Sequence, residues 1–235
     1  MRRLQLKRMD MKTLGWLAGA MMAMTAFGAP AEQMTKPAAG VTRVVFNTPG
    51  DLVIRPGSDE KVTVEAEPKV LAQLDMQVKG DTLTLTSKGQ FKTDKGIRYS
   101  VTLKGFRALR TQASGNSSVE GFTSDGVDIE LAGSGNIGLK GIKAGKLTII
   151  IKESGTVEAS GSGKMVVAKI DGSGTIDTSN FTAQNVEAKI DGSGNIRVHA
   201  DESLNAGISG AGNIEYKGKA KVTQSITGAG NIGRI

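Results

Sequence analysis

The sequence predicts an all-β protein: a right-handed parallel β-helix (β-solenoid) of about 20-residue coils with an N-terminal β-rich capping region. Three observations carry that prediction. First, a short motif recurs: Ala113-Ser-Gly-Asn-Ser117, Gly133-Ser-Gly-Asn-Ile137, Glu153-Ser-Gly-Thr-Val157, Asp171-Gly-Ser-Gly-Thr-Ile176, Gly192-Ser-Gly-Asn-Ile196, Gly210-Ala-Gly-Asn-Ile214 and Gly228-Ala-Gly-Asn-Ile232. Its second glycines, Gly115, Gly135, Gly155, Gly174, Gly194, Gly212 and Gly230, are separated by steps of 20, 20, 19, 20, 18 and 18 residues. A period that regular is the mark of stacked coils. Second, fixed offsets from those glycines are apolar. Four residues before stand Leu131, Ile151, Ile170, Ile190, Ile208 and Ile226, and two after stand Ile137, Val157, Ile176, Ile196, Ile214 and Ile232. Eight before stand Val127, Leu147, Val166, Val186, Leu204 and Val222. These columns share parity, so in a strand they point to one face. Third, the chain carries 32 glycines and only 4% aromatic residues, a composition suited to a turn-rich β protein.

In chain order, residues 1–31 read as a secretory signal peptide. Arg2, Arg3, Lys7, Arg8 and Lys12 form a basic start, Leu14 to Phe27 an apolar run, and Ala29-Pro-Ala31 a small-residue cleavage site. The run is short for a membrane span, which needs about 20 residues. An uncleaved membrane anchor is the alternative. Removing the segment leaves 25 basic and 22 acidic residues, a net of +3. The basic balance therefore resides largely in the leader and gives no support to nucleic-acid binding. The expected location is across the inner membrane, in the periplasm or on the cell surface.

Residues 32–40, small and polar, read as a flexible lead-in. Residues 41–104 read as the β-rich N-terminal part, without a detectable repeat. Val41–Phe46, Asp51–Ile54, Lys61–Glu65, Thr82–Thr86 and Ile97–Leu103 are short strands, and Gly80-Asp81 is a hairpin turn. Residues 105–235 form the repeat β-helix part of the same domain. Its first coil departs from the pattern, with Arg107 and Thr111 at core columns. The second glycines are the expected structural turn residues, supplying either positive φ or close packing. Asn136, Asn195, Asn213 and Asn231 follow them directly and are expected to stack as an amide ladder. Leu131, Ile151, Ile170, Ile190, Ile208 and Ile226 are the expected core ladder. The last coil reaches Asn231-Ile-Gly-Arg-Ile235 straight after a turn, so an open strand edge available to a second chain is expected there.

The in-register Gly-Asn-Ile at Gly135, Gly194, Gly212 and Gly230, behind a leader and a β-rich lead, resembles the bacterial head GIN domain family. That is a domain of unknown function described as a candidate autotransporter-adhesin head. The resemblance covers about residues 41–235 and implies a secreted or surface-exposed β-helix. The long stalk and membrane-anchor segment of a full autotransporter are not found in this sequence.

Catalytic and metal chemistry find little material. With no cysteine there is no thiolate nucleophile, thiolate metal site, disulfide or lipid-anchor cysteine. His199 is the only histidine, so no multi-histidine metal site and no serine triad is predicted. The Gly-Ser-Gly turns lack the following helix and the lysine of a phosphate loop. Asp171 and Asp191 bring aspartate to only two copies, at the wrong period for a calcium β-roll. They do occupy one column in successive coils, so a paired-carboxylate site for a polysaccharide lyase or hydrolase is the alternative function. The competing reading is an outward charge ladder balanced by Lys169 and Lys189, with no aromatic platform for a sugar nearby. The sequence is therefore read as a non-enzymatic, cofactor-free surface or periplasmic β-solenoid. It would bind a glycan, a protein or a second copy of itself, and no nucleic acid.

Overall fold

The computed structural model describes residues 32–89, 91–93 and 95–235; the signal-peptide reading of 1–31 lies outside the described residues. The described chain is a nearly all-β solenoid of about six turns with coils of about 20 residues.

The N-terminal part contains β1 (Glu32–Pro37), β2 (Arg43–Asn47), β3 (Asp51–Pro56), β4 (Lys61–Ala66), α1 (Pro68–Leu71), β5 (Leu74–Lys79), β6 (Thr82–Ser87) and β7 (Arg98–Leu103). Strict alternation buries Val44 and Phe46, Leu52 and Ile54, Leu83 and Leu85, and Tyr99 and Val101, each pair on one side of its strand. The β5–β6 hairpin is antiparallel and turns at Gly80, φ +60°. One end of the solenoid is covered by antiparallel pairing, β1 on β4 and β4 on β7, with Val70 and Leu71 of α1 tucked beneath. Residues 32–40 are thus corrected from a flexible lead-in: β1 pairs along its whole length with Lys61–Ala66. Backbone groups satisfy that edge, so no apolar pattern was needed in Glu32–Pro37 to make it a strand.

The N-terminal part is also more than a cap. Strands β2 and β6 pair in parallel, as do β3 and β7. The next coil is β8 (Ala108–Thr111) and β9 (Asn116–Glu120), and these stack in parallel on the other side of β2 and β3. The first strand pair of the chain therefore lies between two later ones. Its turn glycine, Gly50, falls under Gly115: a Cβ on Gly115 would meet the Gly50 carbonyl oxygen at 2.0 Å.

The repeats follow as β10 (Thr123–Leu131), β11 (Asn136–Ile151), β12 (Thr156–Gly172), β13 (Thr175–Gly192), β14 (Asn195–Gly210), β15 (Asn213–Lys217), β16 (Lys221–Gly228) and β17 (Asn231–Arg234). All pair in parallel and in the register the sequence columns imply. Leu131, Ile151, Ile170, Ile190 and Ile208 form one continuous buried stack. The next member, Ile226 in β16, is 41% exposed, because β16 pairs only with β14. The unequal coil lengths are absorbed at the corner far from the glycine turns. Between β13 and β14 the register shifts at Thr178/Thr182, and Phe181 fills the interior there. Thr111, polar in a core column, is buried yet satisfied: its hydroxyl donates to the Phe46 carbonyl (2.9 Å) and accepts the Ala113 N–H (3.0 Å).

The turn geometry sorts the glycines. Carbonyls of the second glycines accept the N–H that begins the next coil, as Gly174 does from Asn195 at 3.0 Å. A Cβ on Gly194 would meet the Gly174 oxygen at 2.7 Å and the Ile170 side chain at 2.8 Å. Close approach, rather than positive φ, explains the second glycine. Positive φ belongs to the first, as at Gly192 (+136°). Gly194→Ala is expected to cost about 1–3 kcal/mol by urea unfolding, since backbone must shift to admit the methyl. Gly138→Ala, whose Cβ would meet nothing within 4 Å, should change stability by no more than about 0.5–1 kcal/mol and in the stabilising direction.

Tyr99 anchors the N-terminal core, edge-on to Phe46 with ring centroids 5.2 Å apart, its hydroxyl 3.2 Å from that of Thr48. Burial pushes its pKa up to about 12, against a smaller opposing effect of the Thr48 hydrogen bond. A raised folded-state pKa makes the neutral phenol's stabilisation complete below about pH 10 and lost as the pH climbs towards 12. In Tyr99→Phe that part of the alkaline loss should vanish from pH-dependent unfolding, and the late step in tyrosinate absorbance with it.

Candidate functional site

The outward columns of the solenoid carry its polar chemistry, because side chains alternate in and out along every strand. Ahead of the turns, Asp171 pairs in register with Asp191, and Lys169 with Lys189. The two predicted carboxylates do therefore sit on adjacent rungs, about 4.8 Å apart in backbone spacing. Each is held by the lysine two residues upstream on its own strand, Lys169 Nζ–Asp171 at 2.9 Å and Lys189 Nζ–Asp191 at 3.5 Å. Lys169 holds its proton more tightly than an ordinary lysine, through its hydrogen bond to Asp171 and the charges of Asp171 and Asp191. Both aspartates share one flat sheet face. Glycosidic cleavage needs one carboxyl able to give a proton and another free to act as base or nucleophile, and here each carboxylate is paired with a lysine. Neither lines the concavities of about 710, 420, 320 and 310 Å³ on the described surface.

After the turns, the asparagines occupy the next outward column. Asn213 donates its side-chain amide to Asn195 Oδ1 at 3.0 Å. Asn136 donates to Asn116 at 3.1 Å, and Asn116 in turn donates to Asp51 at 3.2 Å, which ties the ladder to β3. Thr156 and Thr175 occupy the rungs between Asn136 and Asn195, and Asn231 pairs in register with Asn213. Two residues further on, Arg197 bridges three rungs: its Nε lies 2.6 Å from Glu215 and an Nη 3.9 Å from Asp177. The hydrogen bond to Glu215 raises the Arg197 pKa further. His199 is spent on Asp201 at 3.3 Å. Among the described residues no group of three or more His, Asp or Glu is placed to hold a metal.

Sequence reasoning singled out these charges but missed the interface between the N-terminal strands and the repeat. Asp51 and Gly50 belong to the outward asparagine and turn-glycine columns of the coils above them. A signal was present: Phe46, Val44 and Leu52 stand at the same offsets from Gly50 as the core columns do from Gly194. The 65-residue step from Gly50 to Gly115 hid it.

Comparison with known proteins follows the fold. The family described as "Putative auto-transporter adhesin, head GIN domain" matches residues 41–220. Among solved structures, the chain is similar to a putative adhesin from Bacteroides fragilis NCTC 9343, with 25% identity and a TM-score of 0.84. That match covers 88% of this chain and 98% of the other. It is similar to a protein described as "Putative lipid binding protein" from Parabacteroides distasonis ATCC 8503, at 25% identity and TM-score 0.71, over 88% of this chain and 97% of that one. A putative adhesin from the same strain shares the fold at 23% identity and TM-score 0.70, over 87% and 97%. No curated protein matches the chain.

Exposed ion pairs on a flat sheet contribute little to stability. Asp171→Asn combined with Asp191→Asn should therefore change unfolding free energy by under about 1 kcal/mol. Ile190→Ala, buried between those two columns, should cost about 2–5 kcal/mol in the same urea titration.

Proposed function

Because the chain belongs to the head GIN domain family, we propose that it is a non-catalytic, adhesin-like binding protein that works outside the cytoplasm. The observation that carries this reading is the state of the two acidic residues that the repeat places in one column. Asp171 and Asp191 are each committed to a lysine, and neither lines the concavities described above. The similarity to a putative adhesin over 98% of that chain supports the same conclusion. The basic start and apolar run of residues 1–31 support export. A rigid solenoid suits this role, since it holds a long lateral surface in fixed geometry with little ordering cost on binding.

The test is to apply the purified protein and its Asp171→Asn/Asp191→Asn variant to a glycan array and to soluble polysaccharides, reading both retention and product release. The expected outcome is retention equal in the two proteins, with no new reducing ends or unsaturated products. Chain cleavage that disappears in the variant would instead establish the carbohydrate-active enzyme.

A further inference from the structure

One concavity of the described surface lies away from the turn glycines, the asparagine ladder and the paired aspartates. It is a groove of about 710 Å³ along one corner of the solenoid, lined by Arg107, Thr123, Asp125, Lys143, Ser162 and Lys164 over a floor of small residues. Successive rungs contribute to it, from Thr42 beside β2 to Lys164 in β12. With five rungs stacked at 4.7–4.9 Å, the groove is about 19 Å long, so it suits an extended chain better than a compact ligand.

The sequence makes this groove in two ways. Gly145 and Gly163 keep its floor low. A Cβ on Gly145 would meet the Asp125 carbonyl oxygen at 2.5 Å, and one on Gly163 the Ala144 oxygen at 2.3 Å. No side chain larger than hydrogen fits there without moving backbone. At its edge, Arg107 departs from the pattern. It stands in the column that holds Val127, Leu147 and Val166 in later coils, yet it is exposed, and the interior is filled by Phe106 packed on Phe122 at 5.4 Å. The sequence oddity of a charge in a core column is resolved by turning it into the groove.

The charges there are unbalanced. The side chains of Arg107, Lys143 and Lys164 have no ion-pair or hydrogen-bond partner among the described residues, whereas Lys152, Lys169 and Lys189 on the neighbouring face are paired. Asp125 is the only acid in the lining. The hydroxyls of Thr123 and Ser162 also lack partners among the described residues. Three free cations and two free hydroxyls converge on a trough whose low-dielectric walls concentrate their field. The only aromatic ring in the lining, Phe106, is buried, so recognition would run through charge and hydrogen bonds rather than ring stacking.

We propose that this corner groove binds an acidic polysaccharide lying along the solenoid axis, with Arg107, Lys143 and Lys164 meeting its anionic groups and Thr123 and Ser162 its hydroxyls. The proposal rests on the binding-protein reading and gives that reading a ligand class and a site. A free polyuronate and an anionic lipid surface share the negative charge; the extended trough, with its free hydroxyls, favours the polysaccharide.

The experiment measures binding of the full chain to polygalacturonate, to neutral dextran and to phosphatidylglycerol vesicles, at low and high salt. Polygalacturonate should bind with salt-sensitive affinity and dextran should not. The Arg107→Glu/Lys143→Glu/Lys164→Glu variant should bind about tenfold more weakly or worse, while Lys217→Glu/Lys219→Glu/Lys221→Glu at the far end keeps full affinity. The milder Lys143→Gln, read beside a thermal melt, should weaken binding by a few-fold with an unchanged midpoint, which separates lost contact from lost fold. Equal binding of dextran and polygalacturonate, an unaffected groove variant, or binding to vesicles alone would each overturn the groove assignment. Array retention that survives the groove substitutions would leave the binding-protein reading standing and remove only this site. Cleavage of polygalacturonate would remove both.

Discussion

The structure depends on how closely successive coils approach at their turns. At every rung from Gly115 to Gly230, a methyl group on the second glycine would come within 2.0–2.8 Å of the carbonyl oxygen of the glycine below. From Gly115 to Gly212 that approach lets the glycine carbonyl accept the N–H opening the next coil, and so fixes rung height and register together. Once the register is fixed, equal offsets must stack. The isoleucine column, the asparagine ladder and the aspartate–lysine pairs all follow from a contact made by residues with no side chain.

Most of this was legible because a solenoid writes the same local problem many times. Offsets that are ambiguous in one coil become unmistakable over seven, and the core columns matched the pairing throughout. What stayed hidden has physical reasons. The β2–β3 unit solves the turn with Asn47-Thr-Pro-Gly50 and is separated from its upper neighbour by the whole capping excursion. It obeys the offsets but not the period. Phe181 was missed because it fills a corner where the register slips, outside any column. In β1, backbone pairing alone makes the strand, and composition is silent about that. Asp171 and Asp191 stand in register on adjacent strands, while the groove was visible only as an unexplained arginine in a core column.

Regularity also bears on function. Where the coils repeat faithfully, several outward charges have partners above, below or two residues along, and those neutralise one another. Lys169 with Asp171 and Arg197 with Glu215 and Asp177 are of this kind. Three further cations, Arg107, Lys143 and Lys164, come together in one recess where the repeat begins. On the proposed reading the flat faces serve as scaffold, and recognition falls to the place where the pattern breaks.

The two ends of the stack meet the problem of the unpaired strand differently. At the N-terminal end, reversal of chain direction places β4 against β7 and β5 against β6, and the apolar residues Val62, Val64, Leu74 and Met76 close the interior. At the other end the pairing direction never changes, so β16 can only be one more rung. Its sequence adjusts instead. The column that reads Ala168, Ala188 and Ala206 becomes Gln224, and Lys221, Thr223, Ser225 and Thr227 alternate with it. Ile226 is the remaining cost: it covers Ile208, which is 3% exposed, and is itself left 41% exposed. The last rung thus protects the core ladder by being the one member of it that is not protected.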